Sequence, residues 1–76
     1  MKKYVSISFE HDKFIEFEFV DMCATNSNTV RLGGAKCSLE DKINLFDAEI
    51  ATCFSNVDSI YIDMTKAKYI SFEIRK

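Results

Sequence analysis

The chain has 76 residues, with ten Lys and Arg against twelve Asp and Glu and a formal net charge of −2. At 47% hydrophobic, with two glycines and no proline, it holds the apolar material for one domain, 1–76, too small for a buried catalytic apparatus beside its core. The balance of charge excludes the strongly basic face of a nucleic-acid binder, and no apolar run reaches the ~20 residues that span a membrane.

Met1-Lys2-Lys3-Tyr4-Val5-Ser6 has neither the apolar stretch nor the small-residue cleavage site of a signal peptide, so it reads as the start of a strand. Residues 3–9 set Val5, Ile7 and Phe9 against Tyr4, Ser6 and Ser8. Residues 14–20 set Ile15, Phe17 and Phe19 against Glu16 and Glu18. Such period-two alternation predicts two strands with one solvated face. A loop at His11-Asp12-Lys13 would pair Phe9 with Ile15 and Ile7 with Phe17, and set Ser8 opposite Glu16 and Ser6 opposite Glu18. The alternation fails at Asp21, where either the strand ends or a bulge turns Met22 inward. Thr25-Asn26-Ser27-Asn28 is a polar turn, and Thr29-Val30-Arg31-Leu32 a short third strand stopped by Gly33-Gly34.

The strongest helical pattern runs over 38–57. Leu39, Ile43, Phe46, Ile50, Cys53 and Val57 recur at spacings of four and three, one stripe with Leu45 and Phe54 at its margins. Ser38 with Asp41 is a capping signal, and Glu40 and Asp41 suit the positive end of the helix dipole. Phe46 and Ile50 are predicted at the helix–sheet contact, touching Ile7, Phe17, Ile62 or Phe72. Beyond the helix, Ile60, Ile62 and Met64 alternate with Tyr61 and Asp63; Ile70, Phe72 and Ile74 alternate with Tyr69, Ser71 and Glu73. A second hairpin is predicted through Lys66-Ala67-Lys68, pairing Ile62 with Phe72. The predicted class is α+β: a small, mainly antiparallel sheet in the order β-β-(β)-α-β-β, with one amphipathic helix on its apolar face.

Zinc would accept His11, Cys23, Cys37 and Cys53 as ligands, but these lack the close C-x-x-C pairs that structural zinc sites use. Three scattered thiols read instead as free cysteines in a reducing, cytoplasmic compartment. A Cys–His nucleophile would need an orienting partner for His11, and none is in view; no enzyme activity, metal or cofactor is expected.

Two surfaces remain. Gly33-Gly34-Ala35-Lys36-Cys37-Ser38 feeds a helix N-terminus, where free N–H groups together with Arg31 and Lys36 suit an anion, although Glu40 and Asp41 oppose one. This gives an anion- or nucleotide-binding alternative on Arg31, Gly33, Gly34, Lys36 and Ser38. The leading candidate is the outer sheet face, which the alternation makes acidic and gives all three tyrosines: Tyr4, Glu16, Glu18, Tyr61, Asp63, Tyr69 and Glu73. Tyrosine supplies rigid contact area and acids steer a basic partner. Tyr, Ser and Glu also suit an ordinary solvated face. The expected function is therefore a small cytosolic protein-interaction module that occludes a basic, nucleic-acid-handling partner, without binding nucleic acid or membrane itself. Small proline-free proteins rich in Lys, Ile, Phe and Asn are frequent among phage and mobile-element products, inhibitors included. An unpaired edge strand would also favour a homodimer.

Overall fold

A computed structural model describes residues 1–9, 13–54 and 58–76, with only the backbone of 53 and 54. In chain order the elements are β1 (Lys2–Phe9), β2 (Lys13–Phe19), β3 (Asp21–Ala24), β4 (Thr29–Gly33), α1 (Leu39–Asp47), β5 (Ala51–Phe54), β6 (Ile60–Asp63) and β7 (Tyr69–Arg75). The class is α+β as the alternation indicates, with the strands divided between two antiparallel sheets. One has the order β2-β1-β7 and the other β3-β4-β6-β5.

The period-two pattern sets the faces. Val5, Ile7, Phe9, Ile15, Phe17 and Phe19 from the first sheet join Val30, Leu32, Ala51, Ile60 and Ile62 from the second in one buried cluster. The β1–β2 register is Val5 with Phe17, Ile7 with Ile15 and Phe9 with Lys13. Ser6 therefore faces Glu16 and Tyr4 faces Glu18, a two-residue shift from the predicted pairing. An even shift leaves every side chain on its face, so the apolar pattern cannot distinguish the two. The pairing reaches Lys13, which was expected in the loop; His11 lies outside the described residues.

Asp21 marks a change of sheet. The chain bends at Val20, whose N–H donates to the Gly33 carbonyl at 2.9 Å, and β3 then pairs with β4. Asp21 has left the first sheet and meets Arg31 at 3.3 Å. Met22 lies opposite Leu32 on the core side of β4 yet is exposed.

The predicted hairpin between the last two strands does not form. β6 pairs with β4 (Val30 with Ile62, Leu32 with Ile60) and with β5, while β7 pairs with β1 (Val5 with Phe72, Ile7 with Ile70). Both arrangements set the same residues of each strand on the core side, so alternation alone does not choose between them, although Phe72 and Ile74 stay exposed. The 64–68 connection is fastened at both ends, with Met64 N–H on the Asn28 carbonyl and Lys68 N–H on the Ser8 carbonyl.

The helix is shorter than the stripe predicted. Ser38 caps it, its Oγ accepting from Asp41 N–H at 3.1 Å. At the other end Glu49 N–H donates to Phe46 O and Ile50 N–H to Leu45 O, with Glu49 at φ 63°. This is the paired-bond helix stop that usually places glycine in the left-handed residue. Here glutamate occupies it, so no glycine announced the end, and Ala51–Phe54 forms a strand. Leu45 and Ile50, the two residues that such a stop brings together, are both fully buried. Ile50 thus reaches the core as predicted, from beyond the helix. The helix turns Leu45 inward, flanked by half-buried Asp41, Lys42 and Ala48, and leaves Leu39, Ile43 and Phe46 exposed.

Candidate interaction face

Three strands build the outer face of the first sheet, and their registers align its side chains in rows. Phe14, Ser8 and Tyr69 form one row; Glu16, Ser6 and Ser71 the next; Glu18, Tyr4 and Glu73 a third. Lys2 and Arg75 pair beyond them. Phe14 and Tyr69 are 59% and 63% exposed and flank a serine, so two aromatic faces stand beside a low, polar centre.

Arg75 ties the middle of this face together. Its Nη1 and Nη2 donate to Glu16 Oε1 and Oε2 at 3.0 and 2.9 Å, and its Nε to Glu73 Oε1 at 2.7 Å. The guanidinium also lies 4.1 Å from the centroid of the Tyr4 ring. A planar fork against one carboxylate and a ring face fixes all four side chains with few free rotations. The bonds from Arg75 hold the Glu16 carboxyl below its ordinary range, helped by Ser6 Oγ donating at 3.1 Å. Glu18 is paired more loosely, with Lys36 at 3.7 Å and Lys2 at 4.0 Å.

Five of the seven residues predicted for the partner face are thus together: Tyr4, Glu16, Glu18, Tyr69 and Glu73. Tyr61 and Asp63 lie on β6 in the second sheet. Tyr61 is opposite Arg31 in the β4–β6 register. The Asp63 carboxylate accepts from Thr65 Oγ1 and N–H at 2.6 and 3.0 Å, bonds that hold its carboxyl below the ordinary range. Phe14 and Arg75 were not singled out from sequence. The parity that placed Glu16 and Glu73 outward also placed these two there, and it was the available signal.

The glycine loop is largely committed to the fold. Ala35 N–H donates to the Asp58 carbonyl and Lys36 N–H to the Glu18 carbonyl, while Ser38 caps α1. Arg31 is bonded to Asp21 and to Ser59 Oγ. Gly34 adopts φ +64°, and a Cβ there would stand 2.6 Å from Val20 Cγ2. Glycine is required by the turn itself.

Cys23 is exposed on β3 and Cys37 buried after β4; burial pushes the Cys37 thiol up to about 11. Among the described residues no cluster of His, Cys, Asp and Glu is suited to a metal, and no helix is long and apolar enough to cross a membrane. An open groove of about 520 Å³ lies against β7, lined by Lys3, Phe19, Met22, Phe72, Glu73 and Ile74. The chain matches no protein-family model, no curated protein and no solved structure.

Proposed function

We propose that this chain is a protein-interaction module acting through the outer face of the first sheet, by contact and occlusion and without chemistry of its own. The observation that carries the reading is the pair Phe14 and Tyr69, both well exposed and flanking Ser8 on one row. An exposed phenylalanine and an exposed tyrosine on either side of one serine offer apolar contact area that a partner can bury. Tyrosine and arginine are the residues on which binding energy concentrates, and the Arg75 network presents them already ordered. The acids favour a basic partner. Glu16 and Glu73 are held by Arg75, whereas the exposed lysines near Glu18 are weak partners that an incoming cation can replace.

The partner class we favour is a nucleic-acid-handling protein in the cytoplasm, whose basic groove this face would cover. The test is capture of partners from a host lysate on the immobilised chain, followed by titration of the purified partner. Phe14→Ala and Tyr69→Ala should each weaken binding by about 1–2 kcal/mol. Glu16→Lys with Glu18→Lys should slow association most at low salt. Parent-like affinity in all of these variants would remove this face from consideration.

A further inference from the structure

β7 ends the first sheet, and among the described residues it has a ladder neighbour on one side only. The other edges are short or, on the equally long β2, carry a lysine and one bond from outside the sheet. Glu18 on β2 accepts from Lys36 N–H; β3 has four residues, and β5 four with a register irregularity. β7 has seven, Tyr69-Ile70-Ser71-Phe72-Glu73-Ile74-Arg75, with no proline, lysine or break in its register with β1. Soluble proteins usually blunt a long apolar edge with such features. Here the core-side residues are also uncovered: Phe72 is 37% exposed and Ile74 64%. Both line the open groove, where the Phe72 ring meets Phe19 edge-on at 6.0 Å.

The strand is complementary to itself. Antiparallel pairing of two copies about Phe72 sets Phe72 against Phe72 and Ile70 against Ile74 on the core side. On the outer side it sets Ser71 against Glu73 and Tyr69 against Arg75. Apolar meets apolar and no like charges stand directly opposite, while each Arg75 guanidinium keeps its bonds to Glu16 and Glu73 on the side away from the seam. Odd shifts would oppose core and outer faces. Moving the axis to Glu73 would put two carboxylates face to face, and moving it to Ser71 would set Lys68 against Ile74. Only the Phe72 axis pairs all seven residues. We infer that two copies of this chain join through β7, antiparallel and centred on Phe72, making one six-stranded sheet with a twofold axis. The pairing would close the apolar edge and set two interaction faces side by side. It is independent of what those faces bind.

Sedimentation equilibrium of the full chain over a range of concentrations tests this without any partner. A mass twice that of one chain is expected as concentration rises. Ile74→Lys with Tyr69→Lys should raise the dissociation constant about tenfold or more, because each change enters twice across the axis. Both side chains are mostly exposed, and circular dichroism checks that the variant folds. Phe72→Cys should form a covalent dimer under mild oxidation while the parent, with its native thiols, does not, since only this register brings the two position-72 side chains together. A parent that stays monomeric at every concentration would overturn the inference. So would a dimer that survives the lysine pair, or one that is lost on Ile43→Lys and so belongs to the exposed helix. Partner binding by a monomer would leave the proposed function standing and remove only the dimer.

Discussion

Arg75 carries more of the outer face than its place at a strand end suggests. One guanidinium bonds two carboxylates and covers a tyrosine ring, so removing it would free Glu16, Glu73 and Tyr4 together. The pH dependence follows from the direction of the Glu16 shift. Its folded pKa lies below the unfolded value, so its contribution to stability is complete above the ordinary glutamate range. It is lost as pH falls through the lowered value. Arg75→Ala should return the Glu16 carboxyl toward its ordinary range, read by carboxyl-carbon NMR titration. An unchanged titration would mean that Arg75 is not what holds that carboxylate. Single residues also limited what could be read in advance. Parity assigned nearly every strand residue to its face, including Phe14 and Arg75, but hydrogen bonds between strands distant in sequence brought Arg75 to Glu16.

At the scale of elements, α1 shows why a correct periodicity gave the wrong length and face. Ile43, Phe46, Ile50, Cys53 and Val57 continue one spacing through a helix stop that carries glutamate where glycine would have signalled an end. The stop places Ile50 against Leu45, and the helix is thereby rotated to bury Leu45. The stripe residues Leu39, Ile43 and Phe46 remain toward solvent. Leu45→Ala should cost about 2–5 kcal/mol, a large part of the roughly 4–11 kcal/mol expected for 76 residues. Phe46→Ala should cost clearly less, because a side chain 42% exposed loses less burial. Urea denaturation of the two variants measures this difference, and the reverse order would put Phe46, as the stripe had it, at the core.

For the molecule as a whole, the faces of the strands were legible and their partners were not. Each strand's alternation is a local property, whereas the choice of β1 as the neighbour of β7, and of β4 as the neighbour of β6, depends on which edges remain open after the chain changes sheet at Val20. That change depends on the corner where Val20 N–H meets the Gly33 carbonyl and Gly34 passes beside the Val20 side chain. The apolar residues of both sheets form one cluster, so neither sheet keeps a core of its own if the corner is disturbed. Gly34→Ala should strain the left-handed turn by about 1–2 kcal/mol and press a methyl group against Val20. The loss should register equally at Ile7 in the first sheet and Ile62 in the second, followed by methyl NMR through urea unfolding. Coincident midpoints in parent and variant, shifted by the same amount, are expected of a single cooperative unit. A variant in which the Ile62 signal moves while Ile7 stays at its parental midpoint would show two sheets that fold separately, with the corner serving only the second.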